Sequence, residues 1–450
     1  MFSIINPFNS AFLAEHQYFT DQQAEAKIAI AHNSFFKWRL NSVDERLNFI
    51  KNLKFSLKKN KKSLAEYCTN EMGKPIKQSI AEVEKCGLLC DFYLDNAGTF
   101  LKSYKITTDG SESYVTHEPL GVILGVMPWN FPYWQVFRFA IPAIIAGNTV
   151  VVKHASNVAG CGKMLEELFI DAGFPEGIYQ NLLISGSQVE AVINNPLIKA
   201  VSLTGSEKAG ASVASAAAKK IKKAVLELGG SNALIVCEDA DLNDTIPIAV
   251  KARMQNTGQS CIAAKRFLVH NNIYNEFIEK FTSAVKELKS GNPMNEDTDI
   301  GPLARKDLAE DVEKQVNKSV AMGAKIVIGG KRNEAFYEPT VLTGVTKDMP
   351  VFKEEVFGPA VPVLSFNTFD EAIQLSNATG FGLGVSVFTG NINDIKQKIH
   401  LFEEGAVFIN AMVKSDPALP FGGVKHSGFG RELAENGIKE FVNVKTVYIK

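Results

Sequence analysis

The stretch "AVSLTGSEKAGASVASAAAKKIKKAVLELGG", residues 200–230, decides the fold class. It reads as a short apolar strand, a turn containing glycine, a helix rich in alanine and lysine, and a second apolar strand that ends at two glycines. Buried parallel strands are nearly continuous apolar runs, and a helix is the usual connection between two of them. The stretch therefore predicts a β-α-β unit in a parallel sheet with helices on both faces.

The same alternation continues on both sides of this unit. Residues 22–100 have a helical pattern, and from about Asp239 a second α/β series begins, with helices predicted near 241–255 and 273–289. Further predicted strands are "NTVVVK" (148–153), "NLLIS" (181–185), "NALIVCE" (232–238), "AKIVIGG" (324–330), "PVLSF" (362–366), "GVSVFTG" (384–390) and "AVFIN" (406–410). Two α/β units in succession predict two domains, with a cleft between them as the usual place for a ligand.

The composition is that of an ordinary globular protein. The chain has 450 residues, of which 46% are hydrophobic and 22% are charged, and its formal net charge is −1. A balanced charge offers no electrostatic reason for a nucleic-acid partner, and no apolar run has the length that spans a bilayer. The first residues lack the basic and apolar regions of a signal peptide. We therefore expect a cytoplasmic protein with neither a nucleic acid nor a membrane as partner.

One of the six cysteines lies in an unusual context. Cys261 ends the polar stretch "NTGQSC" (256–261), whereas a structural cysteine usually packs among hydrophobic neighbours. Such a cysteine could be a nucleophile, a metal ligand, half of a disulfide bond, or inert. Six cysteines in a chain of this length do not make a disulfide framework. The seven histidines are scattered and form no HExxH pattern, so we predict no metal site.

Two polar side chains follow apolar strands at positions suited to catalysis. Asn130 lies in "VMPWNFPYW" (126–134), where two prolines restrict the backbone, and its amide is of the type that stabilises an oxyanion. A local turn hydrogen bond is the alternative role for this amide. Glu227, in "LELGG" (226–230), ends an apolar strand, so burial should raise its pKa toward that of a useful general base.

The signals for nucleotide binding are individually weak. The dinucleotide fingerprint GxGxxG follows none of the predicted strands. Gly205 and Ser206 open a helix, where Ser206 is suited to be an N-cap or a phosphate ligand. Lys153 ends a buried strand, where it either contacts a ligand or simply reaches solvent. From these residues alone, both interpretations stay open.

Seven motifs, taken in their order along nearly the whole chain, resemble those of the aldehyde dehydrogenase superfamily. They are "PWNFP" (128–132), "VVKHAS" (151–156), "LTGSEKAG" (203–210), "LELGG" (226–230), "NTGQSC" (256–261), "EEVFGP" (354–359) and "PFGGVKHSGFGRE" (420–432). Each motif alone is modest, whereas seven in one order are highly specific. The "KHAS" variant is similar to that of the short bacterial succinate-semialdehyde dehydrogenases.

The resemblance implies an α/β fold with three parts. A Rossmann-like dinucleotide-binding domain, which dispenses with the glycine fingerprint, would comprise residues 1–100 and 120–229. An α/β catalytic domain would comprise residues 230–427, and a small β oligomerisation arm residues 101–119 and 436–450. Because an exposed terminal strand needs an edge to pair with, we expect a homodimer or a tetramer.

The resemblance also implies a covalent mechanism. Cys261 matches the nucleophile, and its pKa should be lowered because only the thiolate attacks well. The Asn130 amide and the Cys261 N–H would hold the thiohemiacetal oxyanion, and Glu227 would activate the water that releases the acid from a thioester. Gly258 would leave the thiol exposed at the mouth of a tunnel. The alternatives from other classes are a non-redox thiol hydrolase or acyltransferase, and a non-catalytic relative.

NAD or NADP is the cofactor that the resemblance implies. The positions that match its binding site are Trp129, Lys153, Gly205 and Ser206 for adenosine and pyrophosphate, and Glu355 and Phe357 for the nicotinamide ribose and ring. Many NAD-preferring relatives have a proline where this chain has His154, and a ribose-binding glutamate where it has Ser156. Without that carboxylate a 2′-phosphate meets no like charge, and Lys153 and His154 could help to bind it. We therefore predict that NADP is accepted, alongside NAD or in preference to it.

Succinic semialdehyde is the substrate that the resemblance favours, with another semialdehyde or a neutral aldehyde as the alternative. In the longer succinate-semialdehyde dehydrogenases, an arginine that matches Arg138 and a serine that matches Ser415 bind the substrate carboxylate. Their second arginine is replaced here by Gln255, so this chain must bind the substrate carboxylate more weakly or with a different set of residues. Trp134 and Phe421 would line the tunnel. A structural salt bridge is the alternative role for Arg138.

Overall fold

The computed structural model describes residues 1–450 and contains two large β-sheets flanked by helices. The strands are β1 Phe2–Ile5, β2 Phe12–His16, β3 Tyr104–Lys105, β4 Glu112–Pro119, β5 Val122–Met127, β6 Thr149–His154, β7 Tyr179–Asn181, β8 Ile198–Thr204, β9 Lys223–Glu227, β10 Asn232–Val236, β11 Ala264–His270, β12 Lys325–Ile328, β13 Arg332–Asn333, β14 Phe336–Tyr337, β15 Thr340–Thr343, β16 Ala360–Phe366, β17 Val385–Phe388, β18 Val407–Ile409, β19 Gly428–Phe429 and β20 Val442–Ile449. The helices are α1 Asp21–Trp38, α2 Val43–Met72, α3 Ile76–Phe100, α4 Trp134–Ile145, α5 Ala159–Asp171, α6 Val189–Asn194, α7 Glu207–Ala218, α8 Leu242–Met254, α9 Tyr274–Lys286, α10 Lys306–Ala321, α11 Pro350–Lys353, α12 Phe369–Asn377, α13 Ile392–Lys398 and α14 Ala434–Glu440.

The stretch 200–230 forms the β-α-β unit that its pattern predicts. Strands β8 and β9 are parallel, with Leu203 opposite Leu226, and α7 connects them. They belong to a six-stranded sheet of order β19-β9-β8-β5-β6-β7, in which only β19 is antiparallel to its neighbour. The carboxyl ends of the parallel strands lie along one edge, which is where open α/β sheets bind ligands.

The second large sheet has the order β12-β15-β16-β11-β10-β17-β18, and all its pairs except β12 with β15 are parallel. The predicted succession of two parallel α/β units is therefore confirmed. Cys261 lies in the connection between α8 and β11 of this second unit, whereas Glu227 ends β9 of the first. The catalytic candidates thus come from two different sheets.

The strand predicted at 181–185 is wrong in its bounds. Strand β7 ends at Asn181, and Ser185 caps a short 3₁₀ helix, Gly186–Gln188. The Ser185 N–H donates to Gln188 Oε1 at 2.9 Å as part of a capping box. Strand pairing with β6 ends at Asn181, and the capping box lies beyond it.

The C-terminal strand finds its edge within its own chain. Strand β20 pairs antiparallel with β4 from Val442 opposite Pro119 to Ile449 opposite Glu112, and β3 pairs with the other side of β4. The argument that this strand needs another subunit for an edge is therefore wrong, because β4 supplies it. The outer edge of β20 remains available for pairing.

None of the helices combines the length and the apolarity needed to cross a membrane. Histidine, cysteine, aspartate and glutamate side chains nowhere gather in a group of three or more that could hold a metal ion. All six cysteines carry free thiols.

Candidate active site

The loop that presents Cys261 is held in a conformation that few residues adopt. Asn256 has a φ of 54°, in the left-handed region, and its Nδ2 donates to the carbonyl oxygen of Asn130 at 2.8 Å. Gly258 has a φ of 74°, and a Cβ there would lie 2.4 Å from the carbonyl oxygen of Gly358. The glycine is thus required by close backbone packing, rather than for exposing the thiol as predicted.

Two cavities meet at the half-buried Cys261 side chain. The first cavity has a volume of about 350 Å³ and the second about 390 Å³, and Cys261 and Gln135 border both. A molecule in the first cavity and a molecule in the second can therefore both lie next to the sulfur. The structure has two cavities with a shared wall where the sequence predicted a tunnel.

Burial raises the pKa of the Cys261 thiol, so the prediction of a lowered pKa is wrong. The lost hydration of the thiolate outweighs the opposing effects of Arg138 and Lys265, and Glu355 and Glu227 add to the rise. The thiol is therefore mostly protonated at neutral pH, and a base must accept its proton before it attacks.

Glu227 has the raised pKa that its sequence position predicts. Its side chain is only 2% exposed, and neither carboxylate oxygen has a hydrogen-bond partner. Burial raises the pKa of Glu227 well above its ordinary value, and the charge of Glu432 raises it further. In this conformation the carboxylate borders neither cavity and lies against Gly422, where a Cβ would come within 2.8 Å of Oε1. It is a buried carboxyl group close enough for its charge to raise the pKa of Cys261.

The Asn130 amide is oriented by its neighbours. Its Nδ2 donates to the carbonyl oxygen of Gln259 at 3.0 Å, and its Oδ1 accepts from Gln135 Nε2 at 3.1 Å. Because a carbonyl only accepts, the bond to Gln259 determines which side of the amide is nitrogen. Asn130 borders the second cavity together with Cys261, and its role as an oxyanion donor stays a prediction.

The second cavity gathers most of the residues that the sequence assigned to a cofactor. Those that border it are Trp129, Gly205, Ser206, Glu355 and Phe357. Ser206 is the N-cap of α7 and accepts from the Ala209 N–H at 3.4 Å, so both roles considered for it, cap and cavity residue, are compatible. Glu355 accepts from the Gly230 N–H at 3.0 Å and pairs with Lys265 at 2.9 Å.

Lys153 borders a separate cavity of about 320 Å³, which lies against α6 and the body of α7. The second cavity lies at the N-terminus of the same helix, so the two cavities follow α7 one after the other. Burial lowers the pKa of Lys153. An elongated ligand along α7 would have its ends in these two cavities.

His154 does not take part in this arrangement, contrary to the prediction that it helps to bind a 2′-phosphate. Successive residues of a strand point to opposite faces, so His154 of β6 faces the interior while Lys153 faces the cavity. The His154 Nε2 lies 3.3 Å from the carbonyl oxygen of Pro132. Burial lowers its pKa to about 4, so the ring is neutral at pH 7. Ser156 is half-buried and begins a 3₁₀ turn, Ser156–Val158, after β6.

All five predicted substrate residues border the first cavity: Trp134, Arg138, Gln255, Ser415 and Phe421. Arg138 is nevertheless occupied, since its Nε pairs with Glu432 Oε2 at 2.7 Å and its guanidinium stacks 4.5 Å over the Phe421 ring. The structural salt bridge considered as the alternative role of Arg138 is therefore present, and Arg138 also borders the cavity in which a substrate carboxylate was predicted.

Sequence reasoning missed three residues of this site. Lys85, on α3, borders the first cavity, but its charge is indistinguishable in sequence from those of a solvated helix face. Gln135 borders both cavities and lies only five residues after Asn130. Glu432 closes the motif at 420–432, where a buried carboxylate near an arginine could have been suspected.

Comparison with known proteins gives one family over nearly the whole chain. The model of the Aldehyde dehydrogenase family matches residues 1–447. A probable succinate-semialdehyde dehydrogenase [NADP(+)] of Synechocystis sp. is 48% identical over 448 residues, covering 99% of each chain. Succinate-semialdehyde dehydrogenase [NADP(+)] 1 of Mycobacterium tuberculosis is 45% identical over 451 residues, again covering 99% of each.

Among solved structures, the succinic semialdehyde dehydrogenase of Streptococcus pyogenes in complex with NADP+ superposes with a TM-score of 0.97. The two chains are 38% identical, and the match covers 100% of both. Identity at this level over full-length chains, together with a cysteine between two cavities in an α/β frame, leaves one conclusion: the chain belongs to the aldehyde dehydrogenase family.

Proposed function

We propose that this protein oxidises succinic semialdehyde to succinate with NADP as the electron acceptor. The observation that carries the proposal is that Cys261 borders two cavities at once, one with cations for an anionic aldehyde and one with the residues expected around a dinucleotide. The relatives named for this reaction match the chain over its full length.

The second cavity fits a dinucleotide. It opens at the N-terminus of α7, a helix of 12 residues, whose free N–H groups and positive dipole end favour a phosphate. Trp129 and Phe357 lie edge to face with ring centroids 5.7 Å apart and present apolar surface to the same cavity. Lys153 supplies a cation further along α7. When bound, NADP supplies the hydride acceptor of the reaction.

The residues around Cys261 account for the remaining steps. The thiol loses its proton to a base, and the thiolate adds to the aldehyde carbon to form a thiohemiacetal. The Asn130 amide and the Cys261 N–H donate to its oxyanion. Loss of hydride leaves a thioester, and Glu227 takes a proton from the water that hydrolyses it, so that the acid leaves and the thiol is restored.

This proposal is tested by following absorbance at 340 nm with succinic semialdehyde, longer semialdehydes and neutral aldehydes, each with NAD and with NADP. We expect kcat/KM to be highest for succinic semialdehyde with NADP. An equal kcat/KM for butanal would contradict the proposed substrate, and a strong preference for NAD would contradict the proposed cofactor. A non-redox thiol hydrolase would give no absorbance change with any aldehyde.

We expect Ser156→Glu to reverse the cofactor preference. A carboxylate at this position would repel the 2′-phosphate of NADP and bind the ribose hydroxyls of NAD, and like-charge repulsion of this kind amounts to several kcal/mol. The ratio of kcat/KM for NADP to that for NAD should fall by about 30-fold or more. Ser156→Gln, which has the same size without charge, should change the ratio by much less. Equal effects of the two variants would point to steric hindrance instead.

The protein is further proposed to be a cytoplasmic homodimer or tetramer. The outer edge of β20 has unpaired backbone groups that a second copy could extend. We also propose three parts of the chain. Residues 1–100 and 120–229 form the dinucleotide-binding domain, residues 230–427 form the catalytic domain, and residues 101–119 and 436–450 form the oligomerisation arm. Sedimentation of the intact chain and of a version with charged substitutions in β20 would test the assembly.

A further inference from the structure

Four cations border the first cavity, and three of them are already paired or solvated. Arg138 pairs with Glu432 at 2.7 Å, and Lys414 pairs with Asp416 at 3.0 Å. Lys251 is exposed, so water solvates its charge. None of these three needs an anion from the cavity.

The fourth cation is Lys85 of α3, which is half-buried and forms no ion pair. Its Nζ lies 4.1 Å over the Trp134 ring and donates to Ser415 Oγ at 2.8 Å. Burial lowers the pKa of Lys85 to about 8, and the charge of Arg138 lowers it further, against the opposing effects of Cys86, Glu82 and Asp416. A shielded cation without a counter-ion is unfavourable, and an anion in the cavity would relieve that cost.

The Ser415 hydroxyl is oriented by two donors. Trp134 Nε1 donates to Ser415 Oγ at 2.9 Å, and Lys85 Nζ donates to the same oxygen. Neither an indole N–H nor an ammonium group can accept a hydrogen bond, so the serine oxygen uses its two lone pairs on them. Its proton must point elsewhere, and no protein group accepts it although Ser415 is buried. The hydroxyl therefore has a donor available for a ligand in the first cavity.

We propose that Lys85 is the cation that binds the substrate carboxylate, with the Ser415 hydroxyl as the second donor. This inference rests on the proposed function and refines it. It gives to α3 the role that the sequence assigned to Arg138, whose guanidinium is held by Glu432. It also explains how an anionic aldehyde is selected with Gln255 in place of a second arginine.

The decisive variant is Lys85→Met, which keeps the length and the apolar stem of the side chain. We expect its KM for succinic semialdehyde to rise about 10- to 100-fold, the range of one charge-assisted hydrogen bond. Butanal has the same chain length as succinic semialdehyde but no carboxylate. The KM of the variant for butanal should therefore stay within about threefold of that of the unaltered protein, as should kcat for both aldehydes. Turnover of butanal by the variant also shows that it is folded.

Three further variants separate a direct contact from a general effect of charge. Lys85→Arg should recover most of the affinity, because it keeps a cation of similar reach. Trp134→Phe keeps a ring beneath Lys85 but removes the N–H that orients Ser415, so KM for the semialdehyde should rise about 3- to 10-fold. Lys414 lies at the exposed rim of the same cavity, so Lys414→Met should change the KM for succinic semialdehyde by less than about threefold.

The outcomes are distinguishable. If Lys85→Met raises KM equally for both aldehydes, or if Lys414→Met matches its effect, the inference about Lys85 is overturned while the proposed function stands. If the unaltered protein itself turns over butanal as well as succinic semialdehyde, the proposed substrate is wrong and the inference fails with it. A selective loss in Lys85→Met that Lys85→Arg recovers supports both.

Discussion

Replacing Cys261 with serine is expected to lower kcat for aldehyde oxidation by about 10⁴-fold or more, the size seen when a covalent nucleophile is removed. A serine hydroxyl is a far weaker nucleophile than a thiol unless a strong base is bonded to it, and the Glu227 carboxylate makes no hydrogen bond in this structure. The change is small in volume and lies in a rigid loop, so the fold and the two cavities should persist. Absorbance at 340 nm measures the loss.

The matched control is Cys237→Ser. Cys237 is also half-buried and also has a raised pKa, about 12, but it borders neither cavity at Cys261. Its replacement should leave kcat within about twofold. Tryptophan fluorescence quenching should show that Cys261→Ser still binds NADP, because Trp129 borders the second cavity. Substantial turnover by Cys261→Ser would refute the covalent mechanism.

Replacing Glu227 with glutamine is expected to reduce steady-state kcat by about 10²- to 10³-fold, within the range for loss of a general base. The amide is nearly isosteric but cannot accept the proton of water. If Glu227 acts in thioester hydrolysis, the first turnover should still release one NADPH per subunit before the rate falls. Stopped-flow absorbance and the mass of the trapped acyl-enzyme measure this directly. A variant with no first turnover would place Glu227 at thiol activation instead.

The same residue sets an expected pH dependence. A general base works when it is deprotonated, so kcat should fall as the pH drops through the pKa of Glu227, which burial has raised above the ordinary carboxylate range. Glu432 contributes to that rise, so Glu432→Gln should move the acid limb of the profile to lower pH. An unchanged acid limb would mean that another group controls it.

The chemistry of the site was largely readable from the sequence. Cys261, Glu227 and Asn130 lie in short motifs, and in the motif of Cys261 the backbone geometry requires a glycine, as the φ of Gly258 shows. Apolar runs alternating with helices predicted the parallel sheets, because hydrophobic periodicity reflects burial directly. The strand bounds at 181–185 could not be read, because β7 is bounded by its pairing with β6, which is distant in sequence.

What the sequence by itself determined, then, is the set of reactive groups and the α/β frame that holds them, since both depend on residue type and local spacing. Only the tertiary structure decided the pKa of Cys261 and the pairing of the cations. Whether Cys261 has a raised or lowered pKa depends on how far burial outweighs Lys265, which is a near neighbour in sequence, and Arg138, which comes from a distant part of the chain. Pairing likewise decided that Arg138 is neutralised by Glu432 while Lys85 is left without a carboxylate, because desolvation and ion pairing are properties of groups that meet only in the folded protein.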